Sequence, residues 1–208
     1  MMSILSYISV SLFPAMETPN TYQNWIDKGY EQFTHAGPNS IKVETLARKM
    51  HVSKSSFYHH FGDQQTFLEL LLEEHYHITE RFGAEAKQCK AFVPDFIDVM
   101  IKYKLPILFQ RQLRIHRENL DFQLAYQRAA DTVNKEMIPI WANHMGLTSD
   151  MNFAKSLHTV IEDSFYERVR EKTFSLEWIY SFLHENESVI HGLIKRSHSH
   201  QHTSGAVR

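Results

Sequence analysis

Cysteine is nearly absent: Cys89 is the single one in 208 residues, so no disulfide can form within the chain. Nothing in that usage asks for an oxidising compartment, and a cytoplasmic protein is the simplest expectation. Strand-like runs of alternating Val, Ile and Thr are few, and seven Gly and six Pro leave little material for sheets and their turns. Charge of one sign is not in excess either. The formal net charge is −2, so the global balance announces no nucleic-acid partner. Metal and catalytic signatures are missing as well: there is no Cys pair, no HExxH, no paired Glu-x-x-His, no phosphate-cradling Gly loop and no nucleophile–base pair. No apolar run reaches the roughly 20 residues a membrane-spanning helix needs.

What the sequence does have is long segments of helical period. Hydrophobic residues make up 43% of the chain, enough for a proper core, and most of the length repeats apolar positions at three and four residues. The expected class is all-α. The most informative stretch is Ser40 to Phe67, SIKVETLARKMHVSKSSFYHHFGDQQTF. Val43, Leu46, Ala47 and Met50 lie at i, i+3, i+4 and i+7, one stripe along a first helix. His51-Val52-Ser53 breaks the period, and Ser53 stands where an N-cap belongs. A second, short helix then starts near Lys54. Phe57 and Phe61 face its core, while Lys54, Ser55, Ser56, Tyr58, His59 and His60 form an outer side able to donate hydrogen bonds. Thr45 to Gly62 contains no Asp or Glu but holds Arg48, Lys49 and Lys54, a local cationic patch hidden in a neutral average.

Around this stretch the chain reads as a succession of helices. Tyr22, Trp25, Ile26, Tyr30 and Phe33 make Thr21 to Ala36 amphipathic, and Gly37-Pro38 ends it. Ser40 or a neighbour is expected to cap the next helix. Asp63 caps a long one that carries Phe67, Leu68, Leu70, Leu71 and Leu72 and reaches about Phe82. Pro94 and Pro106 open two helices or one kinked helix. Asn119 to Met145 follows, bent at Pro139 and stopped by Gly146. Thr148 or Ser149 then caps Met151 to Lys172, with an apolar face of Phe153, Leu157, Val160, Ile161, Ser164, Phe165 and Val169. Ser175 or Thr173 starts a last helix bearing Leu176, Ile179, Phe182, Leu183, Val189, Ile190, Leu193 and Ile194.

The helix, the Gly-Pro turn, LARKMHVSKSSFYHHFG and the long helix after it resemble the N-terminal DNA-binding domain of TetR-family transcriptional regulators, over about a quarter of the chain from Tyr22 to Leu72. His51 takes a turn position usually held by Gly, and Gln64 a position where the family often has a phosphate-contacting Lys. The resemblance implies residues 21–66 as a helix-turn-helix domain and 67–196 as a helical ligand-binding and dimerisation domain, between an unstructured extension (1–20) and a polar tail (197–208). It places Lys54, Ser55, Ser56 and His59 at base edges in the major groove, after the Ser53 cap. Tyr58, His60 and Gln64 go to the DNA backbone, with the amides from Ser40 to Lys42 offered to a phosphate. The alternative for Tyr58 and the histidines is an ordinary helix surface.

The resemblance further implies a ligand-responsive regulator, a repressor in most of the family, that binds a palindromic double-stranded operator as a homodimer and is released by a small apolar or aromatic effector. It is not expected to be an enzyme or to meet a membrane. Candidates for the effector pocket are Phe96, Met100, Tyr103, Phe109, His116, Phe122, Tyr126, Met137, Trp141 and His158, with core filling the alternative for any one of them. Interface candidates are Leu157, Ile161, Ser164, Phe165, Trp178, Phe182 and Leu183, several of which an intramolecular core could claim. Neither a metal nor a cofactor is expected; His75, His77 and the tail His198, His200 and His202 are the dense histidine groups, and such a tail binds divalent metal adventitiously. The competing class is a helical enzyme or lipid-carrier bundle whose N-terminal helices only pack.

MMSILSYISVSLFPA at the start is apolar, but it lacks Lys and Arg and is broken by serines, unlike a signal peptide. A plainer alternative is that translation begins at Met16 and the earlier residues are an upstream extension, with a start at Met1 left open. The intact mass of the native protein should then correspond to a chain without Met1 to Ala15, and a mass that includes them overturns it.

Overall fold

A computed structural model describes residues 21–203, with side chains through Gly192. The extension before Thr21 lies outside what is described, as do the side chains of Leu193, Ile194 and the tail histidines. Among the described residues there are nine α-helices and no strands. They are α1 (Thr21–Ala36), α2 (Val43–Met50), α3 (Lys54–Phe61), α4 (Gln64–Ala86), α5 (Ile97–Lys102), α6 (Lys104–Ile115), α7 (Leu120–His144), α8 (Met151–Arg168) and α9 (Leu176–Thr203). None is long and apolar enough to cross a membrane.

Helix ends follow local chemistry. The Ser53 hydroxyl accepts from the Ser56 amide to start α3, and the Asp63 carboxylate accepts from the Thr66 amide at 2.8 Å to start α4. His51 closes α2 in the left-handed region (φ 56°, ψ 38°), while the Val52 amide donates to Ala47 O at 3.0 Å. The Asn119 side chain caps α7 and the Ser175 hydroxyl accepts from the Trp178 amide.

Four expected boundaries differ. Ser40 does not cap α2: it sits in a 3-10 turn, Pro38–Ser40, its hydroxyl donating to Gly37 O and Gln32 O, and Lys42 precedes α2 without a side-chain cap. Asp150 rather than Thr148 or Ser149 caps α8, accepting from the Asn152 and Phe153 amides. α8 stops at Arg168 because Val169 turns extended and buries its side chain. α4 runs to Ala86, one turn past Phe82, since Gly83 lets α7 approach: a Cβ there would stand 3.1 Å from Thr132 O.

The buried apolar residues gather in two clusters. The first holds Trp25, Phe33, Leu46, Phe57, Phe61 and Phe67 from α1–α4, and it also takes Phe109 and Leu113 of α6 and Phe122 of α7. The three-helix unit is thus packed against the larger helical body by aromatic stacking, with Phe109 4.3 Å from Tyr30 and 4.2 Å from Phe33 between ring centroids. The second cluster fills the space between α4, α5, α7, α8 and α9 with Phe82, Phe96, Trp141, Phe165 and Phe182 among others. α4 contributes to both, Phe67 and Leu71 at one end and Phe82 and Ala86 at the other.

His75 sits in α4 between the two clusters, fully buried and stacked on Phe109 at 4.4 Å. Its Nδ1 lies 2.8 Å from Tyr30 Oη in α1, and its Nε2 lies 2.9 Å from Gln110 Oε1 in α6. Gln110 Nε2 is committed to Tyr126 O at 2.8 Å, so Gln110 Oε1 must accept and His75 Nε2–H donate. That leaves Nδ1 to accept from the Tyr30 hydroxyl. The network fixes one neutral tautomer, and burial holds the imidazole down to about 4.

Two consequences are measurable. A Cβ on Gly29 would come within 2.4 Å of Phe67 Cζ, and that ring is fully buried between Phe57 and Phe61. Gly29→Ala should therefore destabilise, by about 1–3 kcal/mol in denaturant unfolding, despite the helix propensity Ala adds; a stabilised variant would mean that the ring yields freely. For His75 the unfolded chain titrates near the ordinary 6.5 and the folded one near 4, so the unfolded state holds the extra proton between them. Stability present above pH 6.5 is lost as pH falls through that window. Wild type should lose about 3 kcal/mol more than His75→Gln between pH 6.5 and 4; parallel pH profiles of the two proteins would refute the assignment.

Candidate DNA-reading surface and interior cavity

α3 presents its outer side without obstruction. Lys54, Ser55, Tyr58 and His59 are exposed, Tyr58 at 51%, while Phe57 and Phe61 are buried beneath them. The core anchors this helix from below. Trp25 meets Phe57 edge-on at 5.2 Å, and its Nε1–H donates to Ser56 Oγ at 3.5 Å. Ser56 is accordingly half-buried, and its hydroxyl is partly drawn toward α1. His60 is half-buried too, against Tyr22 and Phe61. Ser53 Oγ is occupied as the cap and accepts from the Ser55 hydroxyl at 3.1 Å.

Of the residues singled out for DNA, Lys42, Lys54, Ser55, Tyr58, His59 and Gln64 stand in the open with Ser53, and Ser40 has its hydroxyl spent on backbone. The fold adds a residue that the sequence reading left out. Glu44 of α2 reaches across to Lys54 Nζ at 3.3 Å, both side chains well exposed. Its own backbone and Lys54 keep the Glu44 carboxyl below the usual carboxylate range. Glu44 lies one residue before the acid-free stretch, ten positions from Lys54, and only the turn at His51 brings them together.

Inside the larger cluster lies a cavity of about 130 Å³. Its walls are aromatic and aliphatic: Phe82 of α4, Phe96, Trp141 and Met137 of α7, Phe165 of α8 and Phe182 of α9. Of the pocket candidates, Phe96, Met100, Met137, Trp141 and His158 line this cavity. The other five candidates lie elsewhere. Phe109 and Phe122 belong to the first cluster, and His116 stands beside Gly37 at the foot of α1, so Pro106 and Gln110 are the α6 residues reaching the cavity with Ile107. Tyr103 is turned away to donate to Glu85 Oε1 at 2.8 Å, and the Tyr126 ring packs edge-on against Tyr166 rather than lining the space.

The interface candidates divide in the same way. Ile161, Phe165, Phe182 and Leu183 line the cavity, whereas Leu157, Ser164 and Trp178 are half-buried. Phe153 and Val160, counted in one continuous apolar face of α8, point outward at 45% and 66% exposure. That face is split, inner side to the cavity and outer side to solvent.

Apart from His158, the cavity's polar groups escaped the sequence reading. Glu162 lies in its wall with Asn134 as hydrogen-bond partner, and burial pushes its carboxyl up to about 7. His158, one turn earlier on α8, meets Trp141 edge-on at 5.3 Å, and burial holds it down to about 4. Thr79, Gln110, Tyr166 and Asn186 complete the polar points. A signal existed: His158, Ile161, Glu162 and Phe165 follow the i, i+3, i+4, i+7 stripe, which puts a carboxylate on an inward face. Among the described residues no group of three or more His, Cys, Asp or Glu could hold a metal ion.

Residues 26–71 match the family described as bacterial regulatory proteins, tetR family. No curated protein sequence matches the chain. Among solved structures, the TetR family transcriptional regulator PfmR from Thermus thermophilus is similar in fold, with a TM-score of 0.55 at 14% identity over 80% of this chain and 96% of that one. Residues 26–71 therefore carry the N-terminal domain of the tetR family of bacterial regulatory proteins, and the chain as a whole shares the fold of a TetR family regulator.

Proposed function

We propose that the protein is a ligand-responsive repressor that binds a palindromic operator as a homodimer and leaves it when a small apolar or aromatic molecule fills the interior cavity. The observation that carries this reading is the span of α4: its first residues follow the exposed α3 directly, and its Thr79 and Phe82 line the cavity. One rigid element therefore touches both the reading helix and the ligand space.

On DNA, α3 enters the major groove, where Lys54 can donate to the O6 and N7 acceptors of guanine and His59 and Ser55 can donate or accept. Tyr58, Lys42 and Gln64 flank it as contacts to the phosphate backbone. Two copies related by a two-fold axis set their α3 helices about 34 Å apart, one turn of the duplex. α8 and α9 are the proposed dimer elements, supported by their outward Phe153, Val160 and Tyr180. A ligand acts only through its preference for one arrangement of α4 over the other. With DNA as its target, the protein works where the chromosome is, in the cytoplasm of a bacterial cell.

Electrophoretic shift on duplexes from the gene's own upstream region tests the reading. A salt-dependent complex that prefers a palindrome is expected, and no shift at low salt would leave the helical enzyme or lipid-carrier class in its place. Lys54→Ala should lower specific affinity by about 1–3 kcal/mol and relax discrimination at one base position; unchanged discrimination would restrict Lys54 to phosphate.

A further inference from the structure

The cavity combines two features with a shared ligand chemistry. Its walls are ring faces and edges, from Phe82, Phe96, Trp141, Phe165 and Phe182. Among the described residues one carboxyl group, Glu162, and no Lys or Arg lines this apolar space. Among the described residues Glu162 makes no ion pair within 4 Å, its side-chain partner being the amide of Asn134. The nearby guanidinium, Arg114, pairs with Asp163 Oδ1 at 2.7 Å, on the neighbouring position of α8, and draws the Glu162 carboxyl down less than burial pushes it up.

A half-buried carboxylate with no cation bonded to it is costly, and proteins ordinarily satisfy one by pairing or by proton uptake. We infer that the cation is supplied by the ligand: the effector is a lipophilic cation, an apolar or aromatic body bearing an amine or quaternary ammonium group that sits against Glu162 within the aromatic walls. The aromatic faces favour the same charge, because their quadrupoles attract a cation, most strongly when water is excluded. His158 does not oppose it, since burial keeps that imidazole neutral at physiological pH. A carboxyl already held near neutrality is readily ionised by an arriving positive charge. The alternative for such a group, a protonated acid donating to a neutral carbonyl ligand, predicts the opposite charge preference.

This inference rests on the reading of the cavity as the effector site, and the experiment separates the two. Full-length protein is titrated, following tryptophan fluorescence and calorimetric heat, with three probes of one shape: naphthylmethyl-trimethylammonium, its neutral isostere with carbon in place of nitrogen, and naphthylmethylsulfonate. The cation should bind at least tenfold more tightly than the isostere, and the sulfonate least. Glu162→Gln, isosteric and uncharged, should cost the cation at least tenfold and leave the isostere within twofold. Neutral binding that equals or exceeds cation binding in wild type overturns the inference while keeping the effector site, and this comparison needs no variant to fold. A cation preference that survives in a folded Glu162→Gln also overturns it. Failure of all three probes to bind removes the effector site along with the inference.

Discussion

The structure depends on a neutral imidazole held between two helical bodies. His75 lies where α4 passes from one apolar cluster to the other, and it can keep both neighbours satisfied only in one tautomer. Tyr30, the acceptor oxygen of Gln110 and the Phe109 ring leave it no route to water. A buried network of this kind is stable when complete and costly when one member is missing, because each polar atom loses its only partner. α1 is therefore joined to α4 and α6 by directional bonds as well as by apolar packing. The reading helix, seated on α1 through Trp25, inherits its position from that joint.

Gln110 gives the joint a second face. The same side chain that accepts from His75 contributes to the cavity wall and donates to Tyr126 O on α7. A shift of α6 or α7 around an occupant would strain bonds that end at Tyr30 in the three-helix unit. The aromatic stacks of Phe109 on Tyr30 and Phe33 make that strain hard to absorb locally, since close-packed rings have few alternative arrangements. Coupling through α4 and through this side-chain path would act in parallel.

Local chemistry was the readable part of the sequence. The caps at Ser53 and Asp63, the turn at His51 and the stripes that bury Trp25, Phe57 and Phe61 all follow from residues within a few positions of one another. Nonlocal packing was not readable. Phe109 and Phe122 carry the same apolar signature as Phe96 and Met137, yet α6 and α7 are long enough to serve two clusters, and only the fold assigns each residue to one. Glu162 was hidden for a different reason. Next to Asp163, which turns out to pair with Arg114, it reads as one of two solvated acids, although its place on the inward stripe marked it otherwise. Asp150 displaced Thr148 and Ser149 as a cap because three candidate residues in succession cannot be ranked without the chain direction that the preceding Gly146 turn sets.

The ion pair between Lys54 and Glu44 makes the reading face carry its own counter-anion. A free lysine approaching DNA exchanges mobile salt for phosphate or base, and the gain comes from released ions. On the proposed docking, Lys54 would give up a tethered carboxylate that stays on the surface and repels the polyanion. On most sequences the exchange would then yield little, and Lys54 would do better to remain with Glu44. Where a guanine presents two acceptors in reach, the geometry of the acceptor pair can outcompete a single flexible partner. If α3 docks as proposed, Glu44 would act as an internal competitor for Lys54, subtracting more from indiscriminate sticking than from correct recognition.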